Sequence, residues 1–374
     1  MGAPSPPVRD PDLAPCPGPG VVDAAAGARD SSLKQLCECS QVWRLSPRSR
    51  EIRSRSAPVR GTICGMRIET PTAQLLQETA AMATAPGIGM SSAQIENEIA
   101  AGRLQPQWSQ VALDDAGRVI GRALWWARDQ QTPIELDVWD VIADHAEAPT
   151  VLRALLERGH AVLAARGIPV PLPHTMRVPV AWRDDAAVVH DVQTKIAEAA
   201  GIGLGRHNER RQFEWARGTS VSPPSPRLRF EPADDDTFIS LFARAAHGSL
   251  DVMTRRELAT TDALSLARDE VDYYRSCPGE RDWWRLAYDQ HGSVVGIAIP
   301  SATPTNRNVG YLAVLPEHRG HGYVDDLLGF ITAFHAASGA ERITATTDAV
   351  NTPMAAAFER AGYRCVETRI DLEH

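Results

Sequence analysis

The feature that most constrains this chain of 374 residues is an internal repeat. The segment WSQVALDDAGRVIGRAL, which starts at Trp108, parallels WWRLAYDQHGSVVGIAI, which starts at Trp283. Gly117 aligns with Gly292 at the same offset of 175 residues. Each segment predicts a strand, a glycine-containing turn and a second strand, and each precedes a further strand and an amphipathic helix. A repeat of about domain length predicts two copies of one fold.

A proline-rich segment separates the two copies. Residues 218–226 read GTSVSPPSP, and their three prolines exclude a helix or a central strand. We therefore expect a first block at 66–217 and a second block at 227–371, joined by this linker. The predicted fold class is α/β (α+β): each block forms a mixed, mostly antiparallel sheet flanked by helices.

The two ends of the chain differ from these blocks. Residues 1–65 are rich in proline, glycine and then arginine, without a sustained apolar period, which predicts a disordered leader. The alternative is a basic arm that contacts nucleic acid or an anionic surface. Because Met66 opens a strand-like segment, we expect it to be the natural start. Residues 372–374 (LEH) resemble the beginning of a vector-encoded tag, so we set them aside from the fold.

Composition excludes several classes of protein. Hydrophobic residues make up 43% of the chain and charged residues 23%, with a net charge of −8, which argues against a nucleic-acid binder. The sequence has neither an apolar run long enough for a membrane span nor a secretory signal. Four of the six cysteines lie in the first 65 residues, and none has zinc-ligand spacing. We expect a cytoplasmic protein with no metal, nucleic-acid or membrane partner.

The second block contains a strand that leads into a glycine-rich loop. Residues 309–315 (VGYLAVL) predict a buried strand that ends at Pro316. Gly310, inside that strand, would allow a bulge or the close approach of another group. The loop EHRGHG follows, and the apolar spacing after it predicts an amphipathic helix.

This order of strand, loop and helix start suits a pyrophosphate. The first N–H groups of a helix have no partners within the helix, and its dipole adds positive charge. Gly320 and Gly322 let the backbone approach the phosphates, and Arg319 can add a charged hydrogen bond. The sequence lacks the Gly-Lys-Ser/Thr of a P-loop and the glycine spacing of a dinucleotide-binding fold.

The string V-x-P-E-H-R-G-H-G-Y resembles the acetyl-CoA motif of the GNAT superfamily of N-acetyltransferases. A second segment, from Asn351 to Tyr363, resembles the signature that follows the fifth strand in this family. The resemblance covers 227–371, with one departure in the motif, Glu317 in place of Gln or Arg. The tandem arrangement is similar to that of mycothiol synthase and some antibiotic acetyltransferases.

The resemblance implies that acetyl-CoA is the cofactor and that its pantetheine arm pairs with the strand backbone where the fourth and fifth strands separate. An N–H near 313–314 would polarise the thioester carbonyl. Asn351 and Met354 would flank the sulfur, and Phe358 stands where many relatives have a tyrosine acid. The implied cofactor-binding residues are Leu312, Ala313, Val314, Arg319, Gly320, His321, Gly322, Tyr323, Val324, Asn351, Met354 and Phe358.

Catalytic and substrate residues carry weaker signals. Asp348, at the end of the fifth strand, is the candidate general base, and its alternative role is to cap the following turn. An acidic and aromatic segment before the third strand would suit a cationic amine, although it could also be a surface helix. The candidate substrate residues in that segment are Asp269, Glu270, Asp272 and Tyr273.

The first block lacks a comparable cradle. Its equivalent loop, residues 142–149 (IADHAEAP), has no Arg-Gly-x-Gly and carries acids that would repel a pyrophosphate. We predict that this block binds no acetyl-CoA and shapes the substrate cleft. The sequence therefore predicts an N-acetyltransferase, a monomer or homodimer, that moves acetyl from acetyl-CoA to a small-molecule amine. A non-catalytic acyl-CoA-binding protein is the alternative.

Overall fold

The structure is a computed structural model, and it describes residues 66–84, 88–128, 130–143, 145–303 and 306–374. The predicted leader, residues 1–65, lies outside the described residues.

Nine helices longer than a single turn occur in the described residues. Serine, threonine or aspartate side chains accept N–H groups at the starts of six of them, as N-cap preferences predict. In chain order the helices are α1 Ala73–Thr79, α2 Ser92–Ala100, α3 Ala148–Ala164, α4 Ala186–Ala200, α5 Asp235–Ala246, α6 Val252–Leu258, α7 Ala263–Ser276, α8 Tyr323–Ala337 and α9 Thr352–Arg360.

Twelve strands of the described chain form one continuous sheet. In chain order they are β1 Met66–Glu69, β2 Leu104–Asp114, β3 Val119–Trp126, β4 Glu135–Val141, β5 His174–Val178, β6 Arg206–Ala216, β7 Arg229–Glu231, β8 Arg285–Tyr288, β9 Val294–Ala302, β10 Arg307–Val314, β11 Arg342–Asp348 and β12 Arg364–Glu373. Their order across the sheet is β1-β2-β3-β4-β5-β12-β6-β11-β10-β9-β8-β7. Only the β4–β5 and β10–β11 pairs are parallel. The predicted mixed sheet flanked by helices is confirmed.

The internal repeat is visible in the two halves of this sheet. The hairpins β2–β3 and β8–β9 turn at Gly117 and Gly292, which have φ values of +77° and +83°. Helices α3 and α8 start at Ala148 and Tyr323, again 175 residues apart. The repeated sequence therefore builds repeated structure.

The two blocks exchange their last strands. Strand β6 of the first block pairs with β11 of the second, and β12 of the second block pairs with β5 of the first. The exchanged strands also pair with each other, so they lie side by side at the centre of the sheet. The linker at 218–226 has no helix or strand, yet the sheet continues across the join.

Apolar clusters cover both faces of the sheet. In the first block, α3 and α4 pack on one face, and α1 and α2 pack on the other. In the second block, α8 and α9 pack on the first of these faces, and α5 and α7 pack on the second. The second-block site described below lies between these two layers.

Setting residues 372–374 aside from the fold is wrong. Leu372 is fully buried, because it belongs to β12 and pairs with His174 of β5. Glu373 is buried as well, and Arg256 of α6 lies 2.6 Å from its carboxylate. Leu372 and Glu373 therefore belong to β12, one of the central strands of the sheet.

Candidate functional site

Strands β10 and β11 separate after two paired positions. Arg307 pairs with Ile343 and Asn308 with Thr344, and no pairing of the described β10 and β11 residues follows. Gly310 lies at a bulge directly after this point, with a φ of +67°. A Cβ atom there would lie 2.3 Å from the carbonyl oxygen of Ile299. The predicted bulge is present, and it opens a gap between the two strands.

The main chain of β10 offers hydrogen-bonding groups to this gap. Leu315 N donates to Val295 O over 2.9 Å, on the β9 side. Because such bonds alternate along an antiparallel pair, Ala313 also faces β9. Leu312 and Val314 then direct their N–H groups into the gap. Leu312, Ala313 and Val314, the β10 residues predicted to contact the cofactor, are half-buried and lie along the gap.

A glycine loop joins β10 to α8. Gly320 and Gly322 have φ values of +83° and +74°, which favour glycine. A Cβ atom on Gly320 would meet nothing within 4 Å, so the loop faces open space. No side chain caps the start of α8, and its first N–H groups are available to an anion. His321 is exposed beside them, and the first helical residues, Tyr323 and Val324, are half-buried.

Arg319 does not face this open space. Its guanidinium donates to the carbonyl oxygens of Ala245, His247 and Gly248 over 2.9 to 3.0 Å, and to Val314 O over 3.2 Å. The carbonyls of Ala245, His247 and Gly248 lie in the last turn of α5 or just after it, where helix geometry leaves acceptors without partners. Arg319 therefore ties the loop to α5, and its predicted contact with a phosphate stays a prediction.

A second arginine, Arg227, also contacts the glycine loop. Arg227, directly after the linker, donates to His321 O over 3.0 Å and lies 4.9 Å from the ring centre of Tyr323. It also pairs with Asp326 in the first turn of α8. Sequence reasoning missed this residue because nothing in its local pattern connects it to a loop more than 90 positions away.

The other acids around the loop are also paired. Glu317, the departure from the family motif, pairs with Arg244 of α5. Asp325 accepts from Arg360 of α9 over 2.7 Å. Each carboxylate therefore has a guanidinium beside it, which reduces its repulsion of a bound diphosphate.

Helix α9 follows the end of β11. Asn351 caps it by accepting Met354 N over 3.4 Å, and Met354 is half-buried against the second-block core. Phe358 is 2% exposed and stacks on Phe213 of the exchanged strand β6, with 5.0 Å between ring centres. The ring is therefore part of the core, and its predicted cofactor contact stays a prediction.

Asp348 lies buried where three elements meet. Its Oδ1 accepts from Asn208 over 2.8 Å and lies 3.3 Å from Arg210, both on β6. Its Oδ2 accepts Val252 N, at the start of α6, over 2.6 Å. The side chain therefore does not cap the following turn, which was the alternative role. Burial, together with the carboxylate of Asp251, raises the pKa of Asp348.

The candidate substrate residues on α7 divide into two groups. Asp269 and Asp272 are exposed on the outer side of the helix, whereas Glu270 and Tyr273 are half-buried. Burial raises the pKa of Tyr311 on β10, and the carboxylate of Glu270 adds to this shift. Of the three predicted acids, only Glu270 is among the groups that raise the pKa of Tyr311, on the strand that borders the gap.

Two further features bear on the class of protein. Within the described ranges, no three histidine, cysteine, aspartate or glutamate side chains are grouped as metal ligands would be. None of the described helices combines the length and apolarity that a bilayer crossing requires.

The site lies in a segment with a recognised family. Residues 253–363 match the acetyltransferase (GNAT) family. This match runs from α6 through the β10–β11 gap, the glycine loop and α9. The second block therefore resembles a GNAT acetyltransferase domain over most of its length.

Solved structures of GNAT proteins are similar to much of the chain, at low sequence identity. A GCN5-related N-acetyltransferase from Sphaerobacter thermophilus is 13% identical, with 82% of this chain and 94% of that chain covered and a TM-score of 0.48. A tandem GNAT protein from the clavulanic acid biosynthesis pathway is 16% identical, with 82% and 97% covered and a TM-score of 0.42. No curated protein matches the sequence. The resemblance to mycothiol synthase stays a prediction.

Proposed function

We propose that the second block transfers an acetyl group from acetyl-CoA to the amine of a small-molecule acceptor. The observation that carries this proposal is the gap between β10 and β11, which has an open glycine loop at its end. A diphosphate would lie against Gly320, Gly322 and the start of α8. The pantetheine arm would extend along β10 and pair with Leu312 and Val314.

A main-chain N–H group of β10 would also stabilise charge that develops during the reaction. If a thioester were bound in the gap, the Val314 N–H would be placed to donate to its carbonyl oxygen and to stabilise the negative charge that develops there. Nucleophilic attack by the amine then needs no covalent intermediate on the protein. The thiolate is a tolerable leaving group near neutral pH, which accommodates a buried phenylalanine at the usual tyrosine position.

We assign the role of general base to Asp348. A carboxylate has about four acceptor positions, and its three contacts with Asn208, Arg210 and Val252 leave one on Oδ2. Its raised pKa brings its basicity closer to the operating range of the reaction. Asp251 and Glu270 add negative charge on this side of the sheet, which favours a cationic acceptor.

The alternative is a domain that binds acyl-CoA without turning it over. The burial of Asp348 and of Phe358, each 2% exposed, favours this alternative. Measuring the release of free thiol from acetyl-CoA with a panel of primary amines separates the two. We expect amine-dependent release, and binding of coenzyme A without release with any amine would support the alternative.

Replacing Asp348 by asparagine tests its assigned role. We expect Asp348→Asn to lower kcat/KM about 100-fold, because a carboxamide cannot accept the amine proton. In the unchanged protein, the rate should rise with pH as Asp348 loses its proton, at a pH above the usual aspartate range because its pKa is raised. That acidic limb should disappear in the variant.

The control is Asp236→Asn, at an exposed position in the first turn of α5. It should leave both the rate and the pH profile unchanged. A variant at 348 that keeps its acidic limb and stays within about threefold of the original rate would show that another group accepts the proton.

A further inference from the structure

The first block has its own pair of separating strands. Strands β4 and β5 are parallel and pair at one position, Leu136 opposite His174. They correspond to β10 and β11, since α3 follows β4 as α8 follows β10. The space beyond that position is therefore the first-block counterpart of the proposed cofactor gap.

A loop of the chain itself occupies this counterpart gap. Gly89 N donates to Arg177 O of β5 over 2.8 Å. Strand β12 lies on the other side of β5, where Arg369 pairs with Arg177. The hydrogen bond from Gly89 to Arg177 therefore lies on the side of β5 that faces β4. A Cβ atom on Gly89 would lie 3.8 Å from Oδ1 of Asp140 on β4. Gly89 therefore lies between the two strands.

Ile88 packs on the opposite face of the sheet from Ala80 and Ile95. Ala80 and Ile95 belong to the apolar cluster under α1 and α2. Ile88, between them in sequence, is 6% exposed and belongs to the cluster under α3 and α4, on the opposite face. The chain thus places Ile88 across the plane of the sheet, beside the gap that Gly89 occupies.

A buried ion pair fills the gap from the α4 side. Nζ of Lys195 lies 3.1 Å from Asp140 of β4 and 2.9 Å from Asp191 of α4. Lys195 is 3% exposed. In the second block, the buried pair of Asp348 and Arg210 joins β11 to β6, on the side of β11 away from β10. The described residues of β10 and β11 have no strand pairing past Asn308 and Thr344.

We propose that Ile88–Met90 is a resident occupant of the first-block gap, in the position that a pantetheine arm would take. The loop supplies a backbone N–H to the strand edge and an apolar side chain to the core behind it. The first block is therefore closed to acyl-CoA for two separate reasons, the missing cradle and the filled gap. The identity of the excluded ligand, acyl-CoA, rests on the proposed function. The occupancy of the gap by Ile88–Met90 does not.

Hydrogen exchange of the full chain, with and without coenzyme A, tests this proposal. We expect the Gly89 amide to exchange as slowly as the amides of β5, because it is bonded to the sheet. Saturating coenzyme A should protect residues 316–323 and leave 88–90 unchanged. Fast exchange at Gly89, or a change at 88–90 on adding coenzyme A, would overturn the proposal. Missing protection at 316–323 would instead count against the proposed function.

A pair of variants tests the placement of Ile88 independently. Ile88→Ala should lower Tm by at least about 4 °C, because a core side chain is truncated. Leu264→Ala, at a position 43% exposed on α7, should change Tm much less. Equal shifts for the two variants would show that Ile88 is not in the core and would overturn the proposal.

Discussion

Gly320→Glu should weaken the binding of coenzyme A about a thousandfold. The position faces open space before α8, so the new side chain clashes with no neighbour but places a carboxylate where the diphosphate is proposed to bind. Two unit charges about 4 Å apart near a protein surface repel by about 4 kcal/mol, which corresponds to roughly three orders of magnitude in Kd. Isothermal titration with coenzyme A measures this loss, and turnover of acetyl-CoA should fall with it.

Gly292→Glu is a matched control for this experiment. Gly292 turns the β8–β9 hairpin with the same φ of +83°, and a Cβ atom there would also meet nothing within 4 Å. Both variants therefore carry the same backbone strain and the same added charge. If the two bind coenzyme A equally well, the loop at 317–322 is not the diphosphate site.

The repeat and the strand-loop-helix order could be predicted because their signals are local. Alternating apolar residues, turn glycines at a fixed offset and an amphipathic helix after the loop each follow from neighbouring residues. The bulge at Gly310 belongs to the same class, since glycine inside an apolar strand indicates a backbone irregularity.

The exchange of β6 and β12 could not be predicted in this way. Strand β6 is mostly polar (RHNERRQFEWA), and β12 has short apolar positions between polar ones (RCVETRIDLE), so neither pattern specifies which block the strand will join. The exchange decides the surroundings of the site, because it brings Asn208 and Arg210 of the first block to Asp348. It also brings Phe213 against Phe358.

Arg319 shows a second limit of sequence reasoning. Its place in the motif predicted a phosphate contact. In the structure, its guanidinium instead donates to carbonyl oxygens at the end of α5. These acceptors come from a helix end about 70 positions earlier in the chain. A motif therefore identifies the loop, while the direction of each side chain depends on what the rest of the fold places beside it.

Asp140→Ala should be among the most destabilising single changes in the first block. Arg122 donates to Asp140 over 3.0 Å, and Lys195 lies 3.1 Å from it, with both cations at most 3% exposed. Burial alone would raise the pKa of Asp140, yet Lys195 and Arg122 outweigh it and lower that pKa. Without the carboxylate, two buried cations lose a shared partner, which costs about 3–5 kcal/mol in free energy of unfolding.

Equilibrium unfolding in urea measures this cost, and Glu341→Ala provides the comparison. Glu341 pairs with Arg217 over 2.6 Å, but its side chain is 73% exposed, so its loss should cost less than about 1 kcal/mol. Replacing Arg122, Asp140 and Lys195 together by Leu, Leu and Met should recover most of the stability, because no buried charge is then left alone. Equal costs for Asp140→Ala and Glu341→Ala would mean that the cluster is hydrated. In that case the pair of Lys195 and Asp140 would not exclude water from the first-block gap.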